Sequence, residues 1–213
     1  MDFLPDSQTL AFYSLACVIL FITPGPDMSL WLAKTVSGGR RGGAAAMLGT
    51  QVGCLFHTIF AAIGLSAVLA ASATAFTALK VVGALYLAWL AFDAIRSGSA
   101  LNVRAEAASA TPFWPTFLTG LLINITNPKV VLFFLTFLPQ FVAAHDPHAS
   151  GKMLFLGLFF IAMNLPLSFV LILGAERVIE WFKRRPTVLR AIDYSFAGVF
   201  GFFAFKILTT QTR

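Results

Sequence analysis

Two short segments place prolines beside polar side chains within long apolar stretches. The first reads Thr23-Pro24-Gly25-Pro26-Asp27, and the second contains Asn127-Pro128-Lys129. Proline has no amide N–H and clashes with the preceding turn, so each segment should interrupt a helix. In hydrocarbon, a carbonyl freed by the interruption is costly unless protein or trapped water satisfies it. The segments therefore predict broken helices lining a polar cavity, the alternative being packing kinks sealed by Thr and Ser hydroxyls.

Asp27 is the carboxylate expected to lie deepest in an apolar stretch. Placing a charged side chain at membrane depth costs at least ~2.5 kcal/mol on insertion scales. Asp27 could pair with a ligand's ammonium group, or it could take up and release a proton. As an alternative, it could cap a helix by accepting hydrogen bonds from the amides of Ser29 and Leu30.

The second segment supplies Asn124, Asn127 and Lys129. The two amides offer neutral donors and acceptors that suit a zwitterion. Lys129 could form a charge pair with Asp27 or anchor a carboxylate. Alternatively, its long side chain could extend to the membrane interface.

The apolar stretch that follows Asp27 in the chain carries Gln51 and His57. Gln51 is predicted to line the same translocation pathway as the two proline-containing segments. His57 is a second candidate for proton coupling because imidazole titrates near neutral pH, although it could equally be a structural, hydrogen-bonded side chain. Gly49 and Gly53 have the spacing that permits close helix packing. Farther along, Asn164 and Pro166 predict a weaker helix break.

The composition indicates the class of protein in which these residues are placed. Of 213 residues, 58% are hydrophobic and 11% are charged, with a mean hydropathy of +0.83. Soluble domains carry about 25% charged residues, so this chain is expected to be an integral membrane protein. Its net charge of +6 resides mostly in short loops, without the long basic arm that would indicate a nucleic-acid partner.

Six apolar stretches are long enough to cross a bilayer. They lie near 9–33, 43–71, 76–96, 113–140, 152–175 and 189–209. The N-terminal residues before them include two acids and no base, so the first stretch is expected to remain as a helix. We therefore predict an all-α membrane fold comprising one domain, 1–213.

Basic residues predict the orientation. Ten lie in the loops after stretches 1, 3 and 5: Lys34, Arg40, Arg41, Arg96, Arg104, Arg177, Lys183, Arg184, Arg185 and Arg190. Four lie on the opposite side: Lys80, Lys152, Lys206 and Arg213. The odd-numbered loops are therefore predicted to be cytoplasmic, and both termini periplasmic.

The two halves of the chain, about 9–96 and 113–209, also share a pattern. Pro26 and Pro128 are 102 residues apart, and Leu48-Gly49 resembles Leu156-Gly157 at an offset of 108. With three helices per half, the second copy must enter the membrane from the opposite side. This predicts two inverted repeats with broken helices 1 and 4, an architecture that many secondary transporters use.

Enzymatic and metal sites find little support in the sequence. Gly64-Leu65-Ser66-Ala67 lacks the second glycine of an intramembrane serine nucleophile, and there is no P-loop. Cys17 and Cys54 lack metal-ligand spacing, and His145-Asp146-Pro147-His148 lies in a loop with a proline between its ligands. We expect no enzyme, no cofactor and no metal.

Together these motifs resemble the LysE/RhtB family of bacterial amino-acid exporters. They are Ile22-Thr23-Pro24-Gly25-Pro26, Ser37–Gly43, Ala61–Leu65, Lys80–Leu87, Phe117–Gly120, Asn124, Asn127-Pro128-Lys129 and Phe137–Phe141. The resemblance implies proton-driven export of amino acids or their derivatives across the inner membrane, as a homodimer. It does not indicate which amino acid, and Thr126 stands where an apolar or small residue is common.

Two other classes remain open at this point. A small-molecule channel or metal-ion exporter of related architecture would need a cluster of acids or thiols at depth. A structural membrane protein would not need paired helix breaks.

Overall fold

The computed structural model describes residues 5–98, 112–142 and 146–210, and every regular element in these ranges is helical. The α-helices are α1 (Ser7–Ile22), α2 (Pro26–Phe60), α3 (Ser66–Ala71), α4 (Ala73–Ser97), α5 (Phe113–Thr126), α6 (Pro128–Leu132), α7 (Ala149–Leu173), α8 (Ala175–Arg184) and α9 (Pro186–Thr210). A π-helical turn, Ala61–Leu65, joins α2 to α3. A π-helical turn (Phe133–Phe137) and a 3-10 turn (Leu138–Phe141) extend α6. The prediction of an all-helical fold is confirmed.

Helix α2 folds back on itself at Gly39. This residue has φ 67° and ψ −175°, a conformation that glycine adopts without steric cost. Trp31 Nε1 donates to Thr50 Oγ1 at 3.0 Å across the reversal. In a straight helix these two residues would stand about 28 Å apart. Residues 26–38 and 40–60 are therefore two arms, which we call the first and second arms of α2, and the predicted loop between them is a one-residue reversal.

Four helical segments among the described residues are long and apolar enough to cross a membrane: Pro26–Leu65, which contains the reversal at Gly39, Thr77–Arg96, Ala149–Leu173 and Pro186–Thr209. A fifth span results if Phe113–Thr126 and Pro128–Phe141, which meet at 52°, are counted together. Helix α1 is a shorter apolar helix. The arrangement as six spans in two inverted repeats stays a prediction.

The outward surface is strongly apolar, whereas the interior holds packed aromatic rings. Trp114 and Phe205 are 68% and 66% exposed. Inside, Tyr13 contacts the ring of Phe133 and donates its hydroxyl to the carbonyl oxygen of Leu156 at 2.9 Å. An exposed apolar exterior of this kind suits contact with lipid rather than water.

Helix α8 was missed by the sequence prediction, which placed a loop between the fifth and sixth stretches. Ile179 and Phe182 are buried on one face of this helix, while Arg177 and Lys183 are exposed. Ten residues with this much charge are too few and too polar to register as an apolar span. Of the other basic loop residues, Arg104 and Arg213 lie outside the described residues, as does His145.

Glycines bring α5 against the second arm of α2. A Cβ added at Gly49 would collide with the carbonyl oxygen of Phe117, and one at Gly53 would collide with the side chain of Asn124. A Cβ at Gly120 of α5 would collide with the backbone of Ala46. The predicted close packing is confirmed, and it sets Asn124 directly beside the second arm.

Candidate functional site

Both predicted helix breaks are present, and each leads from an extended residue to a proline that starts the next helix. Helix α1 ends at Ile22, and Thr23 is extended with φ −73° and ψ 113° before the chain resumes a helix at Pro26. Helix α5 gives way to Asn127, with φ −70° and ψ 110°, and a helix resumes at Pro128. Proline is favourable at a first helical position because its missing N–H would have had no partner there.

Asp27 receives hydrogen bonds from both amides of the second break. Asn124 Nδ2 donates to Asp27 Oδ2 at 2.7 Å, and Asn127 Nδ2 donates to Asp27 Oδ1 at 3.0 Å. The N-cap of α2 is Gly25, so Asp27 does not act as the cap that the sequence left open. The two carboxylate oxygens are thus hydrogen-bonded to residues 97 and 100 positions away.

Lys129 makes the reciprocal connection. Its Nζ donates to the carbonyl oxygens of Leu20 and Thr23 at 3.1 and 2.6 Å. These carbonyls belong to the C-terminal end of α1, where backbone acceptors lack helical partners and a positive charge is favourable. Lys129 therefore does not extend to an interface. Although both residues are described, neither a hydrogen bond nor an ion pair joins Lys129 to Asp27.

These contacts line a partly open cavity of about 50 Å³. That space suits a few waters. Seven of the ten pathway residues predicted from sequence line it: Thr23, Gly25, Asp27, Gln51, Asn124, Asn127 and Lys129. The three prolines, Pro24, Pro26 and Pro128, are not among the lining residues and act by shaping the breaks.

The remaining wall is mostly apolar and was not anticipated. It comprises Leu20, Phe21, Met28, Trp31, Val130 and Phe160, together with Thr50, Cys54 and Asn164. The sequence singled out Asn164 only through its neighbour Pro166, where α7 in fact continues unbroken from Ala149 to Leu173, so the predicted weaker break is wrong. Asn164 Nδ2 donates to the carbonyl oxygen of Phe160 at 2.9 Å.

Gln51 lies in the cavity wall and is only 8% exposed. Its Oε1 is buried and has no hydrogen-bond donor among the described residues. Buried polar atoms are nearly always paired, so this acceptor stands out among the side chains around the cavity.

His57 lies beside the cavity rather than in its wall. Its Nε2 is 3.3 Å from the carbonyl oxygen of Asn124, and its ring stacks on Phe134 at a centroid distance of 5.6 Å. It lines an apolar groove of about 560 Å³ on the outer side, together with Phe56 and Phe60. His57 is thus separated from Asp27 by Asn124, which contacts both residues.

A comparison with family profiles decides the family. The profile of the LysE type translocators matches residues 18–211. The chain belongs to this family. The resemblance recognised in the sequence is therefore confirmed, and this LysE-type chain is a multi-pass membrane protein.

Several relatives of this LysE-type chain match along most of their length. The homoserine/homoserine lactone efflux protein of Salmonella typhi is 28% identical over 188 residues, or 88% of this chain and 90% of that protein. The leucine efflux protein of Salmonella choleraesuis is 27% identical over 169 residues, 76% of this chain and 77% of that protein. An uncharacterized membrane protein of Vibrio cholerae is 28% identical over 195 residues, 92% and 94% of the two chains. No solved structure matches this chain.

Proposed function

We propose that this protein exports amino acids or close derivatives across the bacterial inner membrane by secondary, proton-coupled transport. The observation that carries the proposal is the interlocking of two helix breaks around a cavity that holds one carboxylate and one ammonium group. Breaks at corresponding positions of two halves are the sequence and structural pattern expected of a transporter site. The named efflux relatives support amino acids as the substrate class.

The chemistry of the cavity suits an α-amino acid. Asp27 offers carboxylate oxygens to an ammonium group. Lys129 has three N–H donors, and two of them bind the carbonyls of Leu20 and Thr23, which leaves one for a substrate carboxylate or carbonyl oxygen. The proposal involves no covalent step, so it makes the protein a transporter without cofactor or metal rather than an enzyme.

Proton coupling is assigned to Asp27. A proton and a substrate ammonium would compete for the same carboxylate, so release of one would accompany binding of the other. Either event changes the acceptors offered to Asn124 and Asn127, which hold the two breaks together. His57, the second coupling candidate, would act through Asn124.

The proposed architecture has six spans. Helix α1 with the first arm of α2 forms a broken first span, and α5 with Pro128–Phe141 forms a broken fourth span. The halves are proposed to be inverted repeats that alternate access to the cavity. The excess of basic residues in the odd loops supports periplasmic termini, and we propose a homodimer on the family resemblance.

Counterflow in proteoliposomes tests this function. Vesicles holding purified protein are preloaded with unlabelled leucine, homoserine lactone or lysine, and entry of the same labelled compound is followed. Stimulated entry of at least one compound, together with accumulation when a proton gradient is imposed, is expected. A channel, a metal-ion exporter or a scaffold gives no stimulated exchange with these compounds, and that result would reject the proposal.

A further inference from the structure

The unpaired acceptor of Gln51 has a position that suggests a ligand. Its side chain comes from the second arm of α2, which also provides Thr50 and Cys54 to the cavity wall. Thr50 is already engaged, since its hydroxyl receives Trp31 Nε1 and donates to the carbonyl oxygen of Met47. Gln51 Oε1 has no such donor among the described residues, so water or a bound ligand must supply one.

The charges around the cavity limit what that ligand can be. Among the described lining residues, Asp27 and Lys129 carry one charge of each sign. A zwitterion adds one charge of each sign and leaves the buried site neutral. A second cationic or anionic group on the substrate would be an uncompensated charge in a largely apolar enclosure, which is strongly unfavourable.

The apolar part of the cavity wall also disfavours a substrate with a second charged group. Phe21, Met28, Trp31 and Phe160 can bury a hydrocarbon side chain but cannot hydrogen-bond a charged one, apart from the single indole N–H already given to Thr50. Substrate charge is therefore confined to the polar residues of the lining, of which Asp27 and Lys129 are charged.

We propose that Gln51 Oε1 accepts a hydrogen bond from the substrate's primary ammonium group, and that the cavity selects amino acids or derivatives with one such group and an uncharged side chain. This inference rests on the proposed transport function and identifies its substrate class. Asp27 supplies the opposite charge, and Gln51 supplies a neutral acceptor that stays available when Asp27 is protonated. The recognised group is the amine of a zwitterion, whose own carboxylate balances the added positive charge.

The test measures substrate preference in the reconstituted protein. Wild-type protein should exchange leucine and discriminate against both lysine and N-acetyl-leucine, which lacks the ammonium group. Gln51→Met keeps the side-chain length and removes the acceptor, and it should raise the half-saturating leucine concentration by about 10-fold or more, because hydrogen bonds to charged groups are the stronger ones. Gln51→Glu keeps the acceptor and adds a negative charge, so it should shift the preference from leucine towards lysine.

Gln140→Met is the matched control. Gln140 is half-buried outside the cavity and donates Nε2 to the carbonyl oxygen of Thr136 at 2.8 Å, so its replacement should leave the leucine-to-lysine preference unchanged. Leucine saturation in Gln51→Met equal to that of wild type, or no shift towards lysine in a folded Gln51→Glu, would overturn the inference. Absence of exchange by wild-type protein with every compound would instead reject the transport function itself.

Discussion

Lys129 Nζ donates to the carbonyl oxygen of Thr23 at 2.6 Å, which joins the end of the first helix to the break in the second half of the chain. Thr23 is only 4% exposed, and its hydroxyl donates to the carbonyl oxygen of Ile19. The ammonium group therefore gives Leu20 the donor that Pro24, four residues later, cannot provide, and it also satisfies the carbonyl of Thr23.

Removing this ammonium group should destabilise the protein. Lys129→Met leaves two buried carbonyls without their donor, which costs about 2 kcal/mol or more and roughly 4–8 °C in Tm for a chain of this length. Thermal unfolding of the purified protein in detergent measures the change. Lys152→Met is the control, because Lys152 pairs with Asp146 at the start of α7, away from the cavity. Equal Tm values for the two variants would show that Lys129 is not a structural cap.

The Asp27 carboxylate is expected to couple transport to protons. Asp27→Asn keeps the size of the side chain but removes its charge and its titration. Accumulation driven by a pH gradient should be lost, and exchange of labelled leucine between equal pools should weaken by about 10-fold or more because the substrate amine loses its charged partner. Exchange at the wild-type rate without accumulation would show that Asp27 couples protons but does not bind the amine. Survival of both activities would remove Asp27 from the site.

Asp146→Asn is the matched control for this substitution. Hydrogen bonds from Lys152 and from the backbone of His148 lower the pKa of Asp146, so this carboxylate is charged at neutral pH. It lies in the loop before α7 and should be dispensable for gradient-driven accumulation. Equal losses in the two variants would indicate a general effect of removing an acid.

Gly25 should not tolerate a side chain. A Cβ at this position would lie 3.2 Å from Lys129 Nζ, so Gly25→Leu would displace the ammonium group and fill the cavity. Counterflow should be abolished while the amount of protein in the membrane is maintained. Gly198→Leu is the control, since a Cβ at Gly198 meets no atom within 4 Å. Wild-type export by Gly25→Leu would reduce the first break to a packing kink.

Topology can be checked with fused reporters. A periplasm-active reporter placed after Arg213 should be active, and one placed in the 97–112 loop should be inactive, because ten basic residues lie on the side of that loop against four on the other. The reverse pattern would contradict both the orientation and the direction of transport.

The sequence was informative where structure depends on local chemistry. Pro26 and Pro128 predicted the two helix breaks correctly because proline disrupts the hydrogen bonding of its own turn. Gly49 predicted close packing because a residue without a Cβ allows a neighbouring helix to approach. The partners of Lys129 could not be predicted, since they lie more than 100 residues away and depend on how the breaks meet. The reversal at Gly39 was hidden among glycines and bases that equally suit a longer loop, and Trp31 carried no signal that it would face a cavity.

The hydrogen bonds of the two breaks have a consequence for how a substrate binds. Both carboxylate oxygens of Asp27 accept hydrogen bonds, and Lys129 Nζ donates to two carbonyls. A substrate that binds these two charged groups must therefore displace or share their present partners. The hydrogen bonds that tie Asp27 to Asn124 and Asn127, and Lys129 to α1, cross the junction between the halves. If the halves separate there, these hydrogen bonds must exchange partners. Entry of the substrate and closure of the cavity around it would then occur together.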